Sequence, residues 1–300
     1  MTPPAVPGSA VLRASGPRAR GGRRPSARSA PGAGWLLALP LGLLTLFLVG
    51  PLVMVAVTTG GASGFQQALS DPVVGDAVVR TVAIAVTVTA VTLVLGTAYA
   101  LAIMSTRGVL RAALIGVLLV GFWTSILVRT LGWILLYEPG GPLDGILHAA
   151  HLLPAASRVN LLQTTAGMYP AMVHVMLPYM VLPIWAALRG QDPELVRAAR
   201  SLGARPLMVL RWVLLRQARA GIVAGAVLVF TLSLGFYITP RLLGGPGDIT
   251  IGTLVGDQFE ASLSGDFSEP AAVGLLLVVA VLVLYTVTDR LVRVTGSWSR

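Results

Sequence analysis

Residues 192–225 read DPELVRAARSLGARPLMVLRWVLLRQARAGIVAG, a polar, arginine-rich segment set between two apolar runs. Asp192 suits a helix N-cap, Pro193 the first helical position, and Glu194 the positive end of the helix dipole. Leu195, Ala198, Ala199 and Leu202 follow at helical spacing, a small apolar stripe flanked by Arg197 and Arg200. Gly203 then ends or sharply turns the helix, and Arg205 and Pro206 open a second one leading back into apolar sequence. Residue types alone leave two readings open. Such a helix docks in a partner's groove and transmits a rigid-body push, or it is a surface amphipathic helix whose arginines only fix the loop on one side of a membrane.

Around this segment the chain is 55% hydrophobic and 11% charged, too apolar for a soluble fold and suited to a bilayer. Six windows approach or exceed the roughly 20 apolar residues that cross a membrane. They run from Trp35 to Thr58, Val78 to Met104, Leu110 to Leu136, Thr165 to Leu188, Gln217 to Thr239 and Ala271 to Val292. Residues 1–33 combine Pro, Gly, Ser and Ala with six arginines and cannot bury a core, so a disordered cytoplasmic tail is expected there. The apolar run that follows is too long for a signal-peptide h-region. Residues 34–300 then form the transmembrane domain, with its main cytoplasmic loop at about 189–216.

With the N-terminus inside, eighteen of the 22 arginines fall on the inner side and nine of the 12 acids on the outer side. Only Arg80, Arg129, Arg158 and Arg241 remain outside, so the expected topology is N-in and C-in. This arrangement also accounts for the net charge of +10 without nucleic acid as a partner. There is no cysteine, and His148, His151 and His174 are too scattered to form a ligand cluster. No metal, catalytic or cofactor site is expected in this chain.

The order Ala198, Ala199, three residues, Gly203, nine residues, then Val213, Leu214 and Leu215 resembles the EAA loop of binding-protein-dependent ABC importer permeases. That loop reads Glu-Ala-Ala, three residues, Gly, nine residues, then Ile, any residue, Leu and Pro. Arg197 stands where the family has Glu, and Arg216 where it has Pro. The likeness covers roughly residues 35–295. Val128, Arg129, Thr130 and Trp133, then Gly141, Leu143 and Leu147, resemble the third span and outer loop of spermidine/putrescine-type permeases of the B kind. Leu177, Pro178, Tyr179, Met180, Leu182 and Pro183 are similar to that group's fourth span, and Thr239, Pro240, Leu242, Leu243, Gly244 and Gly245 to the turn after its fifth.

The resemblance implies an all-α polytopic membrane protein of six transmembrane helices. Asp192, Glu194, Leu195, Arg197, Ala198, Ala199, Leu202, Gly203 and Ala204 would be its ATPase-coupling loop. It implies a cytosolic ABC ATPase dimer, a second homologous permease subunit and an extracytoplasmic solute-binding protein as partners in a bacterial cytoplasmic membrane. ATP and magnesium belong to the ATPase, since this chain has no G-x-x-x-x-G-K-[ST] loop, and the chain is not an enzyme. In such a complex ATP binding closes the ATPase pair, moves the coupling loops and turns the cavity from inward-facing to outward-facing.

The same resemblance makes a polyamine the expected solute. A flexible polycation calls for carboxylates and aromatic faces. Trp133, Tyr137, Tyr179, Phe236 and Tyr237 are the candidate substrate path, although aromatics at span ends commonly form interfacial belts. The first five windows hold no Asp or Glu, and the neighbourhood of Phe236 and Arg241, acidic in some polyamine permeases, is apolar and basic here. Iron(III), thiamine, an oxyanion or a phosphonate therefore stay open. An ion-coupled secondary transporter is the rival class, but it would show buried acids as a relay. A membrane-embedded enzyme lacks any convergent acid, base or metal groups.

Smaller expectations concern single residues. Pro178 and Pro183 permit kinks, whether to line a path or simply to accommodate bends. Gly221 and Gly225 form a Gly-x3-Gly pair for close helix packing. Arg129 follows 17 uncharged residues, about 25 Å of helix, and should snorkel to the outer interface. His174 is assigned to packing through a hydrogen bond.

Overall fold

A computed structural model describes residues 33–59, 62–152, 154, 158–262 and 267–296. The tail expected over residues 1–33 lies outside the described residues except for Ala33. The regular elements are all helices: α1 (Ala33–Thr58), α2 (Ala62–Ser70), α3 (Pro72–Ser105), α4 (Gly108–Trp123), α5 (Ile126–Tyr137), α6 (Pro142–Ala149), α7 (Thr165–Arg189) and α8 (Pro193–Ser201). They continue as α9 (Pro206–Gln217), which contains a π-helical turn over Val209–Leu214, then α10 (Arg219–Leu234), α11 (Ile238–Leu243), α12 (Ile251–Ala261) and α13 (Ser268–Gly296). The chain divides into two units, residues 1–50 and 51–300. The described part of the first is the opening, uncharged stretch of α1.

The second unit is built on α7, which packs against α3 and α10. Met168, Met172, Met176 and Met180, then Ile184 and Leu188, recur every four residues along one face of α7 and are fully buried. The buried residues of α3, among them Ala77, Thr81, Ile84, Val88, Thr92, Gly96, Ala100 and Ile103, recur at the same helical period. Its opposite face carries Val79, Val82, Val86 and Val94, apolar and exposed. A helix apolar all round with one face exposed is matched to lipid rather than water. Glycines let the three helices close: a Cβ on Gly96 would stand 2.7 Å from Met180 Cγ, and one on Gly225 2.9 Å from Met180 Sδ. The Gly221 and Gly225 pair thus serves close packing, as expected.

The expected count of six transmembrane helices is not confirmed by the described residues. Among the described residues three helices are long and apolar enough to cross a membrane, Ala38–Thr58, Pro72–Ser105 and Thr165–Arg189, and up to five spans result if each of two bent pairs counts as one. The window from Leu110 to Leu136 is one such pair, with α4 and α5 meeting at 105°. Thr124 leaves the helix with an extended backbone, and its hydroxyl donates back to the Val120 carbonyl over 2.6 Å. Hydropathy cannot register that bend, because Thr124 and Ser125 barely lower the mean of their window. The second bent pair is α9 and α10, which meet at 66° around Ala218, so the window from Gln217 to Thr239 begins at this bend and ends beyond α10, with Thr239 in α11. In α13 the apolar stretch among the described residues is Ser268–Val283.

Candidate functional site

The segment 192–217 folds as its residues dictate. Asp192 caps α8, its Oδ1 accepting the Glu194 N–H over 2.9 Å. At the other end Gly203 adopts φ +80°, a conformation that favours glycine, and its N–H donates to Arg200 O over 3.0 Å. The Ala204 N–H reaches Ala199 O over 3.1 Å. This pair of bonds is a Schellman stop, which consumes the last carbonyls of α8 and turns the chain sharply. Arg205 and Pro206 then open α9, as expected.

Packing sorts the loop residues. Val196, Ala199 and Ala204 are half-buried, and α8 rests against the π turn of α9. Leu195, Arg197, Ala198, Arg200, Leu202 and Gly203 are exposed, with Leu202 at 87%. Asp192 and Glu194 are exposed as well. The helix therefore presents a small apolar strip on one flank and arginines on the other. The π turn itself, which leaves Arg211 and Trp212 exposed, has no signature in the sequence.

The aromatic candidates separate into three places. Trp133 and Tyr137 stack at 5.3 Å between ring centroids on α5, and Trp133 Nε1 donates to His174 Nδ1 on α7 over 3.1 Å. His174 is thereby held by a hydrogen bond, as expected. Tyr179 lies farther along α7 against Phe122 of α4 at 5.4 Å. The Tyr237 ring instead packs on α12, 2.6 Å from a Cβ placed on Gly256; Phe236 meets Gly252 of α12 through its backbone carbonyl, 3.2 Å from a Cβ there, while its side chain is buried in the same core as Tyr137.

Arg129 departs from expectation. It is 7% exposed, and Nη1 donates to the Val175 carbonyl of α7 over 3.1 Å. Because α5 leaves the bend at 105° to α4, the distance along a straight helix no longer measures its depth. The Val175 carbonyl and the Tyr179 side chain, rather than the interface, solvate the guanidinium.

Two charged groups, Asp144 and Arg241, are tied into local structure. Asp144 on α6 is buried, accepting the N–H of Gly140 over 2.8 Å and of Val159 over 3.1 Å. These bonds hold its carboxyl below the ordinary carboxylate value. Arg241 bridges to Asp257 at 2.6 Å and Glu260 at 3.5 Å on α12. Among the described residues no group of three His, Asp or Glu is placed to hold a metal ion.

Residues 93–298 match the family described as binding-protein-dependent transport system inner membrane component. The chain is 32% identical over 235 residues to the inner membrane ABC transporter permease protein YdcU of Escherichia coli, covering 75% of this chain and 74% of that protein. It is 29% identical over 195 residues to the spermidine/putrescine transport system permease protein PotB of Haemophilus influenzae, covering 65% and 68%. In fold it is similar to a bacterial ABC transporter involved in the import of the acidic polysaccharide alginate, with a TM-score of 0.66 at 18% identity over 86% of this chain and 94% of that one.

Proposed function

Because this chain belongs to the family of binding-protein-dependent transport system inner membrane components, we propose that α8 is the element through which a cytosolic ATPase drives it, and that its cargo is a polyamine. The chain is a permease subunit of an ABC importer in the inner membrane, and ATP hydrolysis in such importers belongs to a separate ATPase. A second homologous permease would complete the pathway, and ATP with magnesium would bind the ATPase alone.

One observation carries the coupling reading. A nine-residue helix, capped at Asp192 and stopped at Gly203, stands on the surface with Leu195, Ala198 and Leu202 exposed. A rigid, capped helix with uncovered apolar residues transmits displacement to the helix behind it, here through the π turn of α9. Asp192, Glu194 and Gly203 shape it, while Leu195, Arg197, Ala198 and Leu202 would meet the partner.

The polyamine reading is supported by the likeness to PotB and by the aromatic pair Trp133 and Tyr137 on α5. A second reading, a solute that is not a polycation, is favoured by one observation: α4, α5, α7 and α10 contain no Asp or Glu. The discriminating experiment reconstitutes the importer with its ATPase and binding protein in proteoliposomes. ATP-dependent uptake of putrescine or spermidine is the expected result. Uptake of an anion or metal complex with no polyamine uptake overturns the cargo alone, and gradient-driven uptake by this chain by itself overturns the coupling.

A further inference from the structure

We propose that the surface receiving α8 is acidic: the ATPase groove carries carboxylates facing Arg197 and Arg200. This rests on the reading of α8 as the coupling helix and adds the chemistry of its partner. Residues 189–219 hold seven arginines against two acids, Asp192 and Glu194. Asp192 is engaged in capping its own helix. Arg197, Arg200, Arg205, Arg211, Arg216 and Arg219 are all exposed, and the ion pairs among the described residues are those of Arg241, none within this loop. Seven positive charges so close together repel one another when uncompensated. Among the described residues no ion pair offsets them, which leaves them free to meet a docked partner.

Two acidic surfaces could do so, a protein groove or anionic lipid headgroups. The composition of α8 favours the groove. Its exposed apolar strip pairs leucines with Ala198, and small residues allow a protein backbone to approach closely, whereas helices lying in a membrane interface depend on bulky Trp, Phe and Leu. α8 itself exposes no aromatic residue beside Leu195 and Leu202; the exposed tryptophan here, Trp212, sits with Leu207 and Met208 on α9 beyond the Gly203 turn, where the chain heads back into apolar sequence. Leucine and arginine on adjacent flanks of α8 thus fit a groove with an apolar floor and an acidic wall, complementary in charge to this helix.

The test measures binding of the importer's own ATPase to the complete permease in neutral-lipid nanodiscs, from 0.1 M to 0.5 M NaCl. Two exposed ion pairs shift affinity by roughly tenfold together. The proposal expects binding to weaken by about that factor with salt, and to weaken similarly in the Arg197→Glu, Arg200→Glu variant at low salt. Leu202→Ala should weaken binding without changing the salt dependence. Salt-independent binding that survives the charge reversal overturns the acidic groove and leaves α8 as a coupling helix. Loss of binding to anionic vesicles with unchanged ATPase binding assigns the arginines to lipid and also overturns it. If neither Gly203→Pro nor Leu202→Ala affects the ATPase, the coupling reading itself fails.

Discussion

Arg129 on α5 donates from Nη1 to the carbonyl oxygen of Val175 on α7 over 3.1 Å, a bond buried inside the helical bundle. It ties the second half of the bent α4–α5 pair to a helix that contains Pro170, Pro178 and Pro183. The Arg129 Nε has no partner, so the buried charge carries a desolvation cost that its bonds to the Val175 carbonyl and the Tyr179 side chain only partly offset.

That balance separates two substitutions. Arg129→Ala removes both bond and volume, and is expected to lower stability by about 2 kcal/mol. Arg129→Met fills the space and removes the charge, so it should lie close to wild type. Thermal unfolding in detergent checks the pair. A Met variant as damaged as the Ala variant contradicts the account.

The α7–α10 contact makes a graded expectation. A Cβ on Gly221 would meet the Pro183 carbonyl oxygen, with Ala187 Cβ at 2.7 Å and Ile184 Cα at 3.0 Å, groups that cannot swing aside. At Gly225 the nearest atom is Met180 Sδ at 2.9 Å, the end of a flexible side chain, although Met180 O follows at 3.1 Å. Gly221→Ala should therefore cost about 1–3 kcal/mol and Gly225→Ala less, read from melting temperatures of the purified complex.

Asp144 gives a pH dependence with a definite sign. The N–H of Gly140 and then of Val159 depress its carboxyl, with the positive charges of His148 and Arg158 adding to them against the effect of burial. A depressed acid contributes stability that is full above the ordinary carboxylate value of about 4, and is lost as pH falls through the lower folded value. Hydrogen exchange at the Gly140 and Val159 amides should accelerate, relative to reference amides, as pH drops below that value. In Asp144→Asn this pH dependence should disappear.

Much of the loop over residues 192–217 was legible because its signals are local. Asp192, Pro193 and Gly203 act within a few residues of themselves, and each does in the structure what its type implies. The Gly221 and Gly225 pair was legible for a similar reason, since glycine at that spacing exposes backbone to a neighbour. Arg129 was misplaced because its depth depends on a bend at Thr124 and Ser125 that a hydropathy average smooths over. The π turn of α9 and the docking of Tyr237 against Gly256 were equally invisible, because backbone strain and partners distant in sequence leave no periodic trace. Trp133 and His174 could each be singled out, but not their bond, which joins residues on α5 and α7.

The coupling assignment is tested most directly by substrate-stimulated ATPase activity of the reconstituted importer carrying Gly203→Pro. Proline can neither adopt φ +80° nor donate the N–H that Gly203 gives to Arg200 O, so the stop of α8 is lost while the membrane helices are untouched. The account expects stimulated ATPase and transport to be abolished with membrane insertion intact. Normal stimulated transport in that variant would contradict it.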